Sequence, residues 1–487
     1  MLLTELLSRD VLKKRENNPE IRGVTADSRE VEPGFLFAAL AGAQANGADF
    51  AADAIARGAV AILGDEDLPS ESSNSAIFVR DPNPRRRLAE IAARFYPRQP
   101  PNVVAITGTN GKTSVAFFAH QIWQELGYRS GTIGTLGAQW SGHVQLLPTT
   151  TPDPVSLHQL LDQFSADEVE HVAIEASSHG LHQYRLDGVS VSHAAFTNLS
   201  HDHLDYHGSP EAYLTAKSRL FTELLVEGGT AVLNAEASEF HHLDTVCRTR
   251  GHSILSYGLN QADICIERRK ATPEGQEIGL LVHGKSYQIH LPLVGAFQVN
   301  NALCALGLVL ASGAVEEDAI AALENLAAVP GRLEKVATHP AGAPVYVDYA
   351  HTPNALANAL QSLRPVASGK IVAVIGAGGD RDRDKRPAMG EIAARLADSV
   401  IVTDDNPRGE DPAAIRRAIL SSCAGAKEIG NRAEAIRFAL GLLVAGDTLL
   451  IAGKGHEHGQ RIGNELLPFD DGDVVRREVA QIESSER

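Results

Sequence analysis

Cysteine is scarce and unpatterned in this sequence. The 487 residues include only four cysteines, and none of them forms a C-x-x-C arrangement. Disulfide frameworks and cysteine zinc sites depend on closely spaced or paired cysteines, so the sequence favours neither. We therefore expect a protein of a reducing compartment, and assign it to the cytoplasm.

Long apolar runs and an excess of positive charge are also missing. No stretch approaches the roughly 20 apolar residues that a membrane-spanning helix requires, and the N-terminal MLLTELLSRDVLKKRENN lacks the layout of a signal peptide. Lysine and arginine total 44 against 61 aspartates and glutamates, so the net charge is −17. This balance argues against general binding to nucleic acid or to anionic membranes. Any anionic substrate must then be held by local cationic pockets.

The order of apolar strands and helices predicts an α/β protein of three domains. A chain of this length is consistent with about three domains of roughly 150 residues. Residues 1–100 indicate a small N-terminal α/β domain, and the proline-rich YPRQPPN makes a suitable linker. Residues 101–332 indicate a central P-loop-type domain with a mostly parallel sheet. Residues 333–487 indicate a C-terminal Rossmann-like, doubly wound domain.

Polar residues follow the predicted strands of the two larger domains. In the central domain, HVAIEAS, AAFTNLS and TAVLNAE each end an apolar strand in polar residues. In the C-terminal domain, VYVDYAH, KIVAVIGAGG, DSVIVTDDNPR and DTLLIAGKGHE do the same. Ligands of parallel sheets bind at the carboxyl ends of the strands, so these tips predict two rows of functional loops.

The stretch VVAITGTNGKTS indicates a shortened phosphate-binding loop. Two residues separate its glycines, whereas the common P-loop has four. Glycine permits backbone angles that turn N–H groups toward phosphate, and the following helix adds its positive end. Lys112 can contact the β- and γ-phosphates, and Thr113 can bind Mg²⁺. The alternative is an ordinary strand–turn–helix with a surface lysine. The predicted nucleotide-binding residues are Gly108, Thr109, Asn110, Gly111, Lys112, Thr113 and Ser114.

A cluster of acidic residues and histidines follows, in EASSHG and NLSHDHLDYHG. Glu175 ends a predicted strand, where it could meet an Mg²⁺ ion held by Thr113, and His203 could hold a second ion. The alternative is a hydrogen-bonded loop whose histidines cap helices. Lys217 lies on a predicted helix, where an ordinary solvated lysine is the alternative.

Eight motifs occur in the order found in one family. They are GTNGKTS, EASSHGL, FTNLSHDHLDYHG, AKSRLF, GAFQVNNALCA, PGRLE, VDYAHTPN and DDNPRGEDP. Together they resemble the ATP-dependent Mur ligases, three-domain amide-bond formers of peptidoglycan synthesis, over almost the whole chain. The resemblance implies that ATP phosphorylates the D-glutamate carboxylate of UDP-N-acetylmuramoyl-L-alanyl-D-glutamate and that an amine captures the acyl phosphate, releasing ADP and phosphate. DNPR resembles the version that adds meso-2,6-diaminopimelate rather than L-lysine.

The resemblance also implies roles for individual residues. Lys217 matches a lysine that is carbamylated in the family, and Thr113, Glu175, His203 and Lys217 would then surround Mg²⁺. Lys112, Lys217, Glu175 and His203 are the implied catalytic residues. Asn301, Arg332 and Asp348 match nucleotide-binding residues, although Gln298 stands where the family usually has asparagine.

The implied substrate contacts fall into two groups. The sugar-nucleotide and muramoyl-peptide group comprises Ala26, Ser28, Ala43, Gln44, Ala45, Thr150, Thr151, Ser177, Gln183 and Arg185. For the small residues of the first domain a plain turn is an equally good interpretation. The diaminopimelate group comprises Arg381, Asp405, Asn406, Pro407, Arg408, Gly453 and Glu457. There the alternatives are a strand-end turn for DDNPR and a charged loop for GGDRDRD.

Two other functions compete with the ligase. A folylpolyglutamate synthase would share the GTNGK-type loop, but the extra first domain and DNPR speak against it. A P-loop ATPase that drives motion would turn over nucleotide without an amino acid. A pure binding module would not need the Glu, His and Lys cluster. We expect a monomer whose partners are the three small-molecule substrates, without nucleic acid and without a membrane span.

Overall fold

The computed structural model describes residues 1–7, 18–42, 45–65, 76–200, 202–259 and 261–485. It divides into two compact units. The first unit comprises Met1–Tyr257 and Cys304–Glu316, and the second comprises Gly258–Leu303 and Glu317–Arg487. The predicted domain limits near residues 100 and 332 stay a prediction. All four cysteines are buried and free.

The first unit begins with a 4-stranded parallel sheet whose strands pair in chain order. Leu36 and Ile62 belong to the two apolar clusters that cover this sheet. The strands are β1 (Gly23–Thr25), β2 (Phe35–Ala38), β3 (Ala61–Gly64) and β4 (Ile77–Arg80), and the helices are α1 (Leu3–Leu6), α2 (Ala51–Ala56) and α3 (Pro84–Phe95).

The rest of the first unit is built on a larger, mostly parallel sheet. Its strands are β5 (Asn102–Thr107), β6 (Ser130–Gly134), β7 (Gly137–Trp140), β8 (His143–Gln145), β9 (His171–Glu175), β10 (Val191–Phe196), β11 (Leu225–Asn234) and β12 (Ser253–Leu259). They lie in the order β12-β11-β10-β5-β9-β6-β7-β8. The pairs from β12 to β6 are parallel, and the β6-β7-β8 edge is antiparallel.

Helices connect these strands and bury their apolar sides against the sheet. They are α4 (Lys112–Glu125), α5 (Pro154–Ala166), α6 (Ser178–His182), α7 (Leu204–His207), α8 (Pro210–Arg219) and α9 (Phe240–Thr249). Helix α5 begins with an Asp153 cap, whose carboxylate accepts from the N–H groups of Val155 and Ser156. Its Leu157, Leu161 and Phe164 enter the core beneath the sheet.

The second unit contains an antiparallel meander and a 6-stranded sheet. The meander is β13 (Ile264–Thr272), β14 (Gly275–Val282) and β15 (Lys285–Leu291). Helix α10 (Ala296–Ala311) follows it, beginning in the second unit and continuing into the first from Cys304, and α11 (Glu316–Ala322) comes next. The sheet has the order β16-β17-β21-β18-β19-β20. Its strands are β16 (Glu334–Thr338), β17 (Pro344–Asp348), β18 (Ile371–Ile375), β19 (Ser399–Val402), β20 (Lys427–Glu428) and β21 (Thr448–Ala452), with a separate hairpin of β22 (Gly459–Ile462) and β23 (Glu465–Pro468).

This 6-stranded sheet is covered on both faces, as a doubly wound domain requires. Along β18, Ile371, Ala373 and Ile375 pack in one apolar cluster, while Val372 and Val374 pack in another. Alternation of this kind follows from the two-residue repeat of a strand. The flanking helices are α12 (Pro353–Leu363), α13 (Lys385–Leu396), α14 (Pro412–Leu420), α15 (Arg432–Leu440) and α16 (Asp471–Ser485). The predicted α/β class with mostly parallel sheets is confirmed.

Candidate active site

The phosphate loop joins β5 to α4 through two glycines in the left-handed half of backbone space. Gly108 has φ 142° and Gly111 has φ 89°. A Cβ on Gly108 would lie 1.9 Å from Thr197 Oγ1, so no other residue fits there without displacement. The sharp turn starts α4 at Lys112 and directs its N-terminus toward the loop, as the sequence predicts.

Asn198, which follows β10, holds the loop from the side. Its main-chain carbonyl accepts from Thr109 N at 2.8 Å, and its side-chain oxygen accepts from Asn110 N at 3.0 Å. Thr197 Oγ1 donates to the Asn110 carbonyl at 2.6 Å. Two of the loop N–H groups therefore hold the loop in place. A bound phosphate would accept hydrogen bonds from the N–H groups nearer α4.

Two lysines converge on one carbonyl of this loop. Lys112 Nζ donates to Gly108 O at 2.9 Å and to Thr109 O at 2.9 Å, and Lys217 Nζ donates to Gly108 O at 2.8 Å. Lys217 is fully buried, and its ammonium lies 4.4 Å from the ring centre of Tyr213. Burial, followed by the charge of Lys112, lowers the pKa of Lys217 well below its ordinary value. Lys217 is therefore not the solvated lysine that was the alternative.

Glu175 is buried at the end of β9 and joins the loop to the neighbouring strand. Its Oε2 accepts from Thr113 Oγ1 at 2.9 Å, and its Oε1 accepts from Thr135 N at 2.7 Å. A Cβ on Gly134 would lie 2.1 Å from Oε1, so the glycine makes room for the carboxylate. Thr113 and Glu175 thus place two hard oxygen ligands side by side.

His203 lies in a loop rich in histidines. It has φ 53°, its side chain is about half exposed, and its ring lies 4.9 Å from that of His179. Burial lowers the pKa of His179 to about 4, so that ring is neutral at pH 7. Within the described residues, no three His, Cys, Asp or Glu side chains are grouped closely enough to hold a metal ion.

The residues assigned to the muramoyl-peptide form a hydrogen-bonded group next to Glu175. Thr150 Oγ1 lies 3.1 Å from Thr135 Oγ1, and Thr151 Oγ1 lies 2.9 Å from Ser177 Oγ. Arg185 donates to Thr151 O at 2.6 Å and to Gln183 Oε1 at 2.8 Å, which fixes its guanidinium beside these groups. The structure therefore brings this set together.

The residues assigned to the sugar nucleotide are less informative. Ala26 and Ala45 are exposed, and Ser28 begins a short turn whose Asp27 side chain caps Arg29 N. Ala43 and Gln44 lie outside the described residues. Ser114, the last residue of the predicted nucleotide set, is buried on α4.

In the second unit, the nucleotide residues form a hydrogen-bonded chain. Asn301 Nδ2 donates to Gln298 Oε1 at 3.0 Å, and Gln298 Nε2 donates to Arg332 O at 3.0 Å. The Arg332 guanidinium lies 4.6 Å from the ring centre of Tyr349. Asp348 is buried and accepts from Leu333 N at 2.6 Å, and burial raises its pKa to about 6.

The tips of β18 and β19 bring the arginines of the predicted diaminopimelate pocket together. Measured from a Cβ built on Gly378, Arg408 Nη1 lies at 2.7 Å, Asn406 O at 3.8 Å and Arg381 Cγ at 3.9 Å. Arg408 has φ 50° and donates from Nη1 to Gly379 O at 2.9 Å. Arg381 is exposed.

Hairpin β22–β23 supports the backbone of Arg408. Arg408 N donates to Arg461 O at 3.0 Å, and Gly463 N donates to Arg408 O at 2.7 Å. Gln460 Nε2 also donates to Asp405 O at 2.7 Å. The hairpin therefore fixes the turn that follows β19, which includes Pro407.

Asp405 and Glu457 supply the negative charge of the pocket. Asp405 Oδ2 is buried and has no hydrogen-bond partner among the described residues. A Cβ on Gly453 would lie 2.5 Å from that oxygen, so the glycine keeps the space beside it open. Glu457 Oε2 accepts from Asn406 Nδ2 at 2.7 Å. Asp405 thus offers an unused acceptor for an ammonium group.

Two buried cations under this pocket were not predicted from the sequence. Lys454 contacts Asn406 and Glu457. Arg432 forms a fully buried pair with Asp471, with both contacts at 2.7 Å, and donates to Ala452 O at 3.0 Å. A lysine within the strand-end motif GKGHE was an available signal for Lys454. The partner of Arg432 lies 39 residues away in sequence, and no local pattern indicates it.

The predicted diaminopimelate residues thus lie close together in the second unit. Of the predicted catalytic residues, Lys112, Lys217 and Glu175 lie around one loop of the first unit. Among the described helices, none combines the length and apolar character of a membrane span.

Three family models match successive parts of the chain. Residues 20–96 match the Mur ligase family catalytic domain, residues 106–309 the Mur ligase middle domain, and residues 331–455 the Mur ligase glutamate ligase domain. The match over residues 20–96 supports the extra first domain that distinguishes the ligase from the folylpolyglutamate synthase alternative.

Named relatives are similar over nearly their full length. UDP-N-acetylmuramoyl-L-alanyl-D-glutamate--2,6-diaminopimelate ligase of Rhizobium meliloti (strain 1021) is 50% identical over 458 residues, covering 94% of each chain. The protein of the same name from Bradyrhizobium diazoefficiens is 50% identical over 466 residues, covering 95% of each. A solved structure of a ligase with this name is 34% identical, with a TM-score of 0.71 over 95% of both chains. The chain belongs to the Mur ligase family.

Proposed function

We propose that this protein is the ADP-forming ligase that joins meso-2,6-diaminopimelate to UDP-N-acetylmuramoyl-L-alanyl-D-glutamate in the synthesis of the peptidoglycan precursor. Relatives of that name are 50% identical over 94–95% of the chain. The observation that carries the choice of amino acid is the position of Arg408, whose Nη1 lies 2.7 Å from a Cβ built on Gly378, with Arg381 Cγ 3.9 Å from the same point. Diaminopimelate differs from lysine by one carboxylate, and a guanidinium can bind a carboxylate through two parallel hydrogen bonds.

The first step is the activation of the D-glutamate carboxylate by ATP. The phosphate loop from Gly108 to Ser114 would hold the triphosphate, and Lys112 would exchange its carbonyl acceptors for phosphate oxygens. The hydroxyl of Thr113 and the carboxylate of Glu175, 2.9 Å apart, are oxygen ligands of the kind that Mg²⁺ prefers. The ion would screen the two anions from each other.

Lys217 fits this role as a carbamate and not as an ammonium ion. An ammonium beside Mg²⁺ would repel it, whereas a carbamate is an anion with oxygen ligands. Only a neutral amine adds carbon dioxide, and the lowered pKa of the buried Lys217 supplies one. The described residues contain no group of three His, Cys, Asp or Glu side chains that could hold a metal ion. The proposed magnesium site does not need such a group, because its ligands are a threonine hydroxyl, a glutamate carboxylate and a carbamate. His203 remains the proposed ligand of a second ion.

The second step is capture of the acyl phosphate by the amino group of diaminopimelate. Asp405 Oδ2 would accept from one amino group in the space left by Gly453, and Glu457 would accept from the other. The amino group that attacks must be neutral, and phosphate leaves as the amide bond forms. Asn406 has a different task, since its oxygen already accepts from Lys454 and from Arg461 N. Its remaining N–H suits a carboxylate, and this supports a role for Asn406 beside Arg408 and Arg381 rather than beside the ammonium groups.

The remaining assignments complete the proposal. Asn301, Arg332 and Asp348 would bind the adenosine end and phosphates of ATP. Thr150, Thr151, Ser177, Gln183 and Arg185 would contact the muramoyl-peptide, while Ala26, Ser28 and residues 43–45 would contact the uridine diphosphate. We also propose the domain limits 1–100, 101–332 and 333–487, a monomer, and a cytoplasmic location.

ADP release from the purified protein tests this function. We expect release that depends on both UDP-N-acetylmuramoyl-L-alanyl-D-glutamate and meso-2,6-diaminopimelate, with lysine a poor substitute and tripeptide formed in equal amount. ATP consumption without extension of the dipeptide, whichever diamino acid is offered, would exclude the ligase. It would favour the motion-coupled ATPase instead.

A further inference from the structure

Lys454 is a fully buried lysine directly beneath the amino-acid pocket. It follows β21, and its ammonium nitrogen contacts Asn406 Oδ1 at 3.1 Å, Glu457 Oε2 at 3.2 Å and Gly459 O at 2.6 Å. A lysine ammonium has three N–H donors. These three acceptors satisfy all of them, so the charge is held at one point without access to water.

The first consequence concerns the orientation of the Asn406 side chain. Its oxygen faces two donors, Lys454 Nζ and Arg461 N at 2.9 Å, while its nitrogen donates to Glu457. Rotating the amide by 180° would set its NH₂ group against an ammonium group and an N–H. Lys454 therefore keeps an N–H of Asn406 available on the side of the proposed carboxylate pocket.

The second consequence concerns Glu457. The same oxygen, Oε2, accepts from both Lys454 and Asn406, so the carboxylate is held by two contacts although about a third of the side chain is exposed. Without Lys454, this carboxylate would lose its paired cation. It would then be free to rotate toward solvent, away from the position that receives an ammonium group.

The third consequence concerns the hairpin. Gly459 is the first residue of β22, and this hairpin makes the two main-chain hydrogen bonds that hold Arg408. Lys454 thus fixes the start of the hairpin as well as the two side chains. One ammonium group links three parts of the pocket that come from separate loops.

We propose that Lys454 is a positioning residue for the incoming amino acid, which sets its affinity by fixing Asn406, Glu457 and the hairpin that supports Arg408. This inference rests on the proposed function. Lys454 has no role in the phosphorylation of the dipeptide, because all of its described contacts lie within the pocket of the second unit.

The test separates amino-acid binding from carboxylate activation. Hydroxylamine intercepts an acyl phosphate as a hydroxamate, so the first step can be measured without diaminopimelate. For Lys454→Met we expect the KM for diaminopimelate to rise about 10- to 100-fold, as for loss of a hydrogen bond to a charged group. The KM for ATP and the rate of hydroxamate formation should stay at wild-type values, and kcat should change about twofold or less.

Three further variants make the result decisive. Lys427→Met, which removes an exposed lysine elsewhere in the second unit, should leave every parameter unchanged. Lys454→Gln keeps a hydrogen-bond donor without the charge, so its KM for diaminopimelate should lie between those of the wild type and Lys454→Met. If Lys454→Met does not fold, this variant is used for the test. In Lys454→Met with Glu457→Gln, removing the unpaired charge should recover part of the thermal stability that Lys454→Met loses.

Two outcomes would overturn the inference. An unchanged KM for diaminopimelate in a folded Lys454 variant would show that the residue does not position the pocket. Equal losses of hydroxamate formation and ligation would indicate a general structural role. A third result is that the wild-type protein forms hydroxamate and yet adds none of the offered diamino acids to the dipeptide. That result would contradict the proposed function and not the role of Lys454, so the two failures are distinct.

Discussion

The phosphate-loop region and the amino-acid pocket both place cations at the ends of parallel strands, but they bond those cations differently. In the first unit, Lys112 and Lys217 both donate to the carbonyl of Gly108, a neutral acceptor. In the second unit, Lys454 and Arg432 are paired with the carboxylates of Glu457 and Asp471. In the first arrangement two ammonium groups donate to the same neutral carbonyl, and in the second each cation is paired with a carboxylate.

This difference indicates how each region works. Ammonium groups on a neutral carbonyl can exchange it for a phosphate oxygen, which is a stronger acceptor because it is charged. Ion pairs buried beneath a pocket hold their geometry before any ligand arrives. We therefore expect changes in the first region to impair the chemistry, and changes in the second to impair either stability or the affinity for one substrate.

The largest expected effect follows from Lys217→Ala. Removing the proposed carbamate should lower the rate of ligation about 100- to 1,000-fold, the range for loss of one preorganised electrostatic group. Small carboxylates such as formate should restore part of it by occupying the vacated space. ADP release measures both, with Lys335→Ala, which removes an exposed lysine of β16, as the control. Full activity without added carboxylate would contradict the carbamate.

The largest expected loss of stability follows from breaking the buried pair of Arg432 and Asp471. Asp471→Ala leaves a guanidinium buried without its partner and should lower the free energy of unfolding by about 3–5 kcal/mol. The exposed pair of Lys285 and Glu317 in the same unit provides the control, since Glu317→Ala should cost less than about 1 kcal/mol. Denaturant unfolding compares the two. Equal losses would remove the distinction between buried and exposed pairs.

Arg408→Lys should affect one substrate only. Lysine keeps the charge but cannot form the two-point contact, so the KM for diaminopimelate should rise about 10- to 100-fold. Binding of ATP and trapping of the acyl phosphate should not change, because Arg408 lies in the other unit from the phosphate loop. An unaltered amino-acid affinity would show that Arg408 is assigned wrongly.

The smallest expected effect is a change in the pH dependence of stability. Burial raises the pKa of Asp348 to about 6 from its ordinary 3.8, so the folded protein binds a proton that the unfolded chain releases between these values. The stabilisation is complete below pH 3.8 and is lost as the pH rises to about 6. Asp348→Asn should remove this contribution to the free energy of unfolding, which is on the order of 1–3 kcal/mol. An unchanged slope between pH 4 and 6 would contradict the raised pKa.

Much of the phosphate-loop region could be predicted because its signals are local. An apolar strand, two glycines, GKTS and a helix stand in sequence order, and the structure has β5, the loop and α4 at these positions. Lys217 came from a family motif, and its burial explains why a lysine stands there. The double contact of Asn198 with the loop was not predicted, because neighbouring strands in this sheet are distant in sequence.

The sequence predicted the residues that line the amino-acid pocket. It did not predict the buried residues that hold them in place. The DNPR motif indicated Arg408, and strand-end positions indicated that Asp405, Gly453 and Glu457 lie near it. The GKGHE motif could have indicated Lys454, but nothing local indicates that it is buried, and Arg432 has no local signal because its partner Asp471 lies 39 residues away. The task of Asn406 also depended on which of its amide atoms were already bonded, which only the structure supplies.

Hairpin β22–β23 carries the exposed side chains Ile462, Leu466 and Leu467 on the outside of the protein while its main chain holds Arg408 within. A change in the length of this hairpin would alter the preference for one diamino acid over another without replacing any residue that the amino acid touches. Engineers seeking ligases for unnatural cell-wall building blocks should vary this hairpin before they vary the arginines.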